Sequence, residues 1–214
     1  AGSDPISTYE IPAGFIKRPC NGEEEPALTW GDVTAEGYGV SLISDAKYSY
    51  DCPDGTLRLT MLRNCIFADH YSNRPAADFS YTDEGLQRFE YAIYPHKGAA
   101  EASEVQQEAD KLNQKLVAVP VGYHKGALPH KKSFISVNKP NISLSALKFC
   151  EDGSGDVIIR LCETAGKPVK AAIVCDAANA GFYADFGRQE VKTFRIDKDG
   201  FVKETDFLEG VTEE

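Results

Sequence analysis

The stretch YGVSLISDAKYSYDCPDGTLRLTML (residues 38–62) decides the class of fold. In its last part Leu57, Leu59 and Met61 alternate with Arg58 and Thr60. Its first part, 38–44, is a short strand-like run, and the Cys-Pro-Asp-Gly between them is turn chemistry. The same period of two recurs in RFEYAIY (88–94), where Phe89, Tyr91 and Ile93 alternate with Glu90, Ala92 and Tyr94. Successive side chains of a strand point to opposite faces, so this pattern marks half-buried antiparallel strands. Working outward, further strands are expected at 115–121, 142–149, 156–163, 170–176, 192–197 and 200–205. Gly, Asp, Asn and Pro clusters separate them, as in a sandwich or barrel.

Two of those separators, DGSGD (152–156) and DKDG (197–200), read as hairpin-type turns. They have the look of calcium loops but lack the ligand spacing of an EF-hand. One helix is expected over 99–113, where Ala102, Val105, Ala109 and Leu112 recur at helical spacing and Asn113 is placed to cap the end. The segment HKGALPHKKSF (124–134) has no strand pattern and reads as a linker or long surface loop. A boundary near 135–140 follows, giving one β-rich domain over 1–138 and a smaller one over 139–214.

The chain has 214 residues, with 23 Lys+Arg against 33 Asp+Glu for a net charge of −10. Such an acidic surface argues against a nucleic-acid groove and against anionic membranes. No run approaches the ~20 apolar residues of a spanning helix. Apolar residues make up 42%, enough for a real core. The opening Ala1-Gly2-Ser3-Asp4-Pro5 reads as an interior segment of a longer chain or as an artificial boundary. The six cysteines lack any C-x-x-C pair, and two sit in apolar strand-like runs, so reduced structural thiols and a cytoplasmic setting are expected. Asn141-Ile142-Ser143 is one glycosylation sequon, a pattern that arises readily by chance.

The usual signatures of nucleotide binding, zincin proteolysis and serine hydrolysis are absent. Of the four histidines, His70 and His96 have the strongest local context, each beside a loop. They read either as partners in a shared metal site or as structural hydrogen bonders at strand ends. Asp45, Asp51, Asp54, Asp69, Asp78 and Asp83 are carboxylates of the type a glycosidase needs, but mostly in turn contexts. Trp30, Tyr48 and Tyr50 read as exposed loop aromatics suited to sugar stacking, with core packing the alternative for Trp30. These residues alone leave open a carbohydrate-binding sandwich and a part of a larger enzyme.

Several consecutive segments resemble one family, the family 38 glycoside hydrolases or α-mannosidases. YEIPAGFIKRP (9–19) is similar to a strand that opens the family's late β-region. The strongest likeness lies in 28–70, where Trp30, Asp32, Tyr38-Gly39-Val40, Asp45, Lys47-Tyr48, Tyr50 and Leu57 to Arg63 fit the family's pattern. DEGLQRFEYAIYPHKG (83–98), the helix with LVAVPV, and SLSALKFCEDGSGDVIIRLCETAG (143–166) follow in the family's order. Ser44, Ala46, Ser49, Asn64-Cys65 and Gln87 depart from the usual residues.

The resemblance implies an antiparallel β-sandwich, part of a galactose-mutarotase-like supersandwich, followed by a smaller β-sandwich. It also implies an absence. The family's zinc ligands and nucleophilic Asp belong to an N-terminal α/β domain, so no catalytic residue, metal site or cofactor is expected here. The expected partners are the N-terminal catalytic and helical domains of the same protein and mannose-containing glycans, with neither nucleic acid nor membrane. In the parent enzyme the implied reaction is retaining hydrolysis of α-mannosides, with zinc gripping sugar hydroxyls. The C-terminal sandwiches would brace the catalytic domain and send loops to its pocket. Asp45, Lys47, Tyr48 and Arg63 are the expected substrate-facing residues, the alternative for Lys47 and Arg63 being pairing with nearby carboxylates. A stand-alone carbohydrate-binding module is the second reading. An aldose-epimerase-type enzyme, needing His70 or His96 with a Glu, is the third. On the first reading some apolar surface is interface, visible as an exposed patch.

Overall fold

A computed structural model describes residues 4–66, 80–98 and 101–210. The described residues form antiparallel sheets with one α-helix, in two compact units. The first comprises residues 1–10, 16–100 and 108–114; the second comprises 11–15, 101–107 and 115–214. No helix among the described residues is long and apolar enough to cross a membrane.

Among the described residues, eight strands precede the helix. They are β1 (Ile6–Ile11), β2 (Gly14–Pro19), β3 (Glu25–Pro26), β4 (Trp30–Ala35), β5 (Tyr38–Ser44), β6 (Ser49–Asp51), β7 (Arg58–Leu59) and β8 (Tyr91–Lys97). A five-stranded sheet runs β2-β1-β4-β5-β8, and a small sheet runs β3-β6-β7. Tyr9, Ala27 and Tyr50 are buried together with Leu42, Leu57 and Leu59 around them.

The register of the larger sheet explains several of its residues. Thr34 lies opposite Gly39, and Gly39 opposite His96 on the next strand. Asp32 lies opposite Ser41. This face therefore collects polar groups on three strands. The Asp32 carboxylate accepts hydrogen bonds from Ser41 Oγ and Thr34 Oγ1, both at 2.8 Å. It also meets His96 Nε2 at 2.7 Å, and His96 Nδ1 faces the Gly98 carbonyl at 2.9 Å. A buried polar cluster is tolerated when each member has a partner, as here. The other face carries Val33, Val40, Leu42 and Ile93. With Leu57 and Pro5 they line an apolar depression of about 410 Å³. Tyr38, Tyr91 and Ile93 stay exposed.

The helix α1 (Ala102–Asn113) begins with acidic Glu104 in its first turn and ends with Lys111 in its last, matching its dipole. Val105 and Ala109, four residues apart, are fully buried. The Asn113 side-chain amide donates to the Ala109 carbonyl at 2.9 Å and to Ser44 O at 3.4 Å. The second bond ties the last turn to the end of β5.

The second unit holds β9 (Ile135–Val137), β10 (Ile142–Phe149), β11 (Val157–Glu163), β12 (Val169–Cys175), β13 (Ala180–Phe186), β14 (Val191–Ile196) and β15 (Val202–Thr205). Its two sheets, β10-β11-β14-β15 and β13-β12-β9, enclose Ile159, Leu161, Ile173, Phe186, Phe194 and Ile196. Phe194 packs its ring 4.8 Å from Phe182 and 6.4 Å from Phe186, in tilted and edge arrangements that aromatic quadrupoles favour. Each such buried side chain stabilises the unit by about 1.5–3 kcal/mol.

Three expected strands differ from the observation: the one expected over 88–94 pairs only from Tyr91 and runs on to Lys97, with Tyr91 and Ile93 on its exposed face. Residues 56–62 keep ladder pairing only at Arg58–Leu59. Residues 115–121 form no strand, with Leu116, Val117, Val119 and Val121 all exposed. Apolar alternation makes a strand only where a neighbouring edge satisfies its backbone, and this segment has no ladder.

Candidate functional site

The first unit carries a second, smaller depression, lined by expected substrate-facing residues. It forms where the loop after β5 meets the chain after β7. Ser44, at the end of β5, is buried, and its hydroxyl accepts the N–H of Ala46 (3.3 Å) and Lys47 (3.0 Å). This turn fixes the backbone of residues 44–47. Asp45 then pairs reciprocally with Glu90. The Glu90 N–H donates to Asp45 Oδ1 at 2.8 Å, and the Asp45 N–H donates to Glu90 O at 3.1 Å. The Tyr48 carbonyl accepts from Ala27 N at 2.8 Å. The loop is therefore held at three points while its side chains project.

The opposite wall runs from Thr60 to Arg63. Thr60 N donates to Ser49 O at 2.9 Å. The Arg63 N–H donates to Asp83 Oδ2 at 3.0 Å, and Thr82 Oγ1 donates to Arg63 O at 2.8 Å. Lys47, Tyr48, Ser49, Thr60, Arg63 and Asp83 are among the residues lining the resulting space, about 240 Å³. Lys47 Nζ sits 5.1 Å from the centre of the Phe89 ring, a cation–π distance. Arg63 is largely exposed and lies 3.9 Å from Glu24. Glu24 also accepts Thr60 Oγ1 at 2.8 Å. Hydrogen bonds from Ser49 and Thr60, with Arg63 nearby, hold the Glu24 carboxyl below its ordinary value.

Three of the four expected residues, Lys47, Tyr48 and Arg63, thus line one depression. The fourth, Asp45, uses its carboxylate on the Glu90 backbone and positions the loop. Glu24 carries no signal in the sequence, because it sits in the acidic run 23–25 that looks like solvated surface. Asp83 was legible only by residue type. Among the aromatic candidates, Trp30 and Tyr50 are buried in the core and Tyr48 alone is exposed. Burial drives the Tyr50 hydroxyl well above its usual pKa.

The remaining candidates are structural or out of view. His96 belongs to the Asp32 cluster. Asp69, His70 and Asp78 lie outside the described residues. Asp51 pairs with Arg58. The two turns with a calcium-loop look close on themselves. Asp152 and Asp156 both bind Arg195, at 2.8 and 2.6 Å, and Asp197 accepts the N–H groups of Asp199 and Phe201, both at 2.9 Å. An arginine and backbone amides occupy the oxygens a cation would need. Among the described residues no group of three or more His, Cys, Asp or Glu is placed to hold a metal, so the zinc that the family resemblance implies has no fitting site there.

In the second unit, Glu163 is fully buried. Its Oε1 accepts Asn141 Nδ2 at 2.8 Å and Ala165 N at 2.7 Å; its Oε2 accepts Lys167 N at 3.1 Å and Gln189 N at 3.0 Å. Four donors explain how a carboxylate survives there, and its role is to fix two turns.

Comparison with known proteins agrees with this architecture. Residues 4–71 match the glycosyl hydrolases family 38 C-terminal domain. Alpha-mannosidase G of Dictyostelium discoideum is 29% identical over 169 residues, covering 75% of this chain and 14% of that protein. Human alpha-mannosidase 2C1 is 30% identical over 190 residues, covering 79% of this chain and 17% of that protein. The chain therefore spans about one-sixth of the length of these relatives. The crystal structure of an alpha-mannosidase from Enterococcus faecalis V583 superposes with a TM-score of 0.73 at 16% identity, covering 89% of this chain and 24% of that one. That likeness speaks for the fold. With the ordered motifs of residues 9–166, these matches make the chain a C-terminal region of the family 38 glycosyl hydrolases.

Proposed function

We propose that this region is the non-catalytic C-terminal part of an α-mannosidase, bracing a catalytic domain and presenting Lys47, Tyr48 and Arg63 to the mannoside. The observation that carries the reading is the match of residues 4–71 to the family's C-terminal domain, a stretch that includes both walls of the depression. The chemistry is suitable. The Lys47 ammonium and Arg63 guanidinium are donors for sugar hydroxyls, and the exposed Tyr48 ring offers an apolar face to sugar C–H groups. Asp45 acts through the loop it anchors. The exposed apolar face of the five-stranded sheet supports the bracing role, since such patches mark surfaces that another domain covers. Proton transfer and nucleophilic attack then fall to carboxylates of the catalytic domain, where the family's zinc is held.

The test uses an enzyme that carries this region together with its catalytic domain. Arg63→Ala is expected to raise KM for an aryl α-mannoside about tenfold, the loss of one charged hydrogen bond, with kcat little changed. Lys47→Ala is expected to act in the same direction. Unchanged KM in both variants rejects the substrate-facing role and leaves bracing alone.

A further inference from the structure

Two cysteines of the first unit lie sulfur to sulfur. Cys20 follows β2 and Cys52 follows β6, and their Sγ atoms are 3.4 Å apart. A disulfide needs ~2.05 Å, so the sulfurs have roughly 1.3 Å still to close. The backbone beside them is already paired, because Asn21 and Pro53 form an antiparallel bridge. The surroundings hold this approach in place. Cys20 Sγ donates to the Pro5 carbonyl at 3.3 Å, and a Cβ on Gly55 would strike Pro5 at 2.9 Å. The other sulfurs have other neighbours: Cys65 meets Thr82 and Cys162 meets the Ala13 carbonyl.

We infer that Cys20 and Cys52 are an oxidative modification site, a dithiol that closes to a disulfide when it meets a low-molecular-weight disulfide such as oxidised glutathione. The two thiols have unequal roles. Cys20 is partly exposed and Cys52 is buried. Burial, then the contact with Cys20, pushes the Cys52 thiol up to about 12, so it stays protonated and waits. Cys20 loses its proton to solvent, and its thiolate attacks one sulfur of the oxidant. One glutathione thiolate leaves and takes up a proton. Cys52 then gives up its proton, and its sulfur attacks the Cys20 sulfur of the mixed disulfide. The second glutathione leaves and is protonated. Two protein thiols are oxidised to one disulfide, and one oxidised glutathione is reduced to two thiols. The new bond ties the end of β2 to the end of β6, the central strand of the small sheet. Ser49, on β6, lines the depression, so the bond also stiffens one of its walls.

The test equilibrates the 214-residue chain with excess oxidised glutathione, quenches it in acid, and alkylates it in denaturant. Accessible thiols are expected to fall from six to four, with the mass lower by two hydrogens and a cross-linked peptide joining residues 20 and 52. The thermal midpoint is expected to rise by roughly 5–10 °C and to return on reduction. Cys20→Ala should keep all five remaining thiols and show no rise, while Cys150→Ala should behave like the starting chain. Free thiols retained at both Cys20 and Cys52, a stable glutathione adduct on either of them, or a cross-link through any other cysteine would overturn the proposal.

Discussion

His96 Nε2 lies 2.7 Å from Asp32 Oδ1, and the two side chains, from strands on either side of β5, are both only 6% exposed. The pair spans β5 at Gly39, the residue that lies opposite His96. Its purpose is to lock three strands, and it explains why Asp32, Gly39 and His96 sit together in the motif-bearing stretches of the sequence. None of the three reaches the candidate site.

Gly39 is the sharpest probe of this lock. A Cβ built there would stand 2.1 Å from His96 Cε1 and 2.9 Å from Thr34 Oγ1. Gly39→Ala must therefore push the imidazole off Asp32. A loss of about 2–4 kcal/mol is expected, the overpacking cost plus that of taking one of its three partners from the buried Asp32 carboxylate. Urea unfolding measures it; a change under 0.5 kcal/mol would mean the ring moves freely.

Glu163 offers a second. Replacing it by Gln leaves one acceptor oxygen and turns an NH₂ toward backbone N–H donors. Glu163→Gln is expected to cost about 2–3 kcal/mol, because two buried donors lose their partner. Amide hydrogen exchange at Lys167 and Gln189 should quicken, and unchanged protection there would refute the assignment.

Acid should weaken the chain in a defined window. Asp152 is held below its ordinary value by hydrogen bonds from Ser154 and also from Arg195, and Glu209 by Lys148 and the Glu151 N–H. Depressed carboxylates contribute stability above their unfolded value near pH 4 and lose it as pH falls through the folded one. The urea midpoint is expected to hold from pH 7 to 5 and to drop below about pH 4. The drop should be shallower in Glu209→Gln. A midpoint constant down to pH 3 would contradict this.

Much of the fold was legible because its strands obey a simple period. Residues 38–44 and 142–149 form strands with those limits. The failures have physical causes. β4 escaped notice because Asp32 is buried where the alternation calls for an apolar side chain. β13 escaped because Gly181 and Ala184 interrupt its apolar pattern. Residues 115–121 carry the pattern without a partner edge. At the site, Lys47, Tyr48 and Arg63 were legible through motif position alone. Glu24 was not, since its role comes from Ser49 and Thr60, both more than twenty residues away in sequence.

The central claim is that this region serves catalysis without performing it. The most direct measurement is hydrolysis of an aryl α-mannoside by the 214-residue chain, with zinc added and with a chelator. The account predicts release at the buffer rate in both conditions. Saturable turnover that zinc sustains and the chelator abolishes would contradict it.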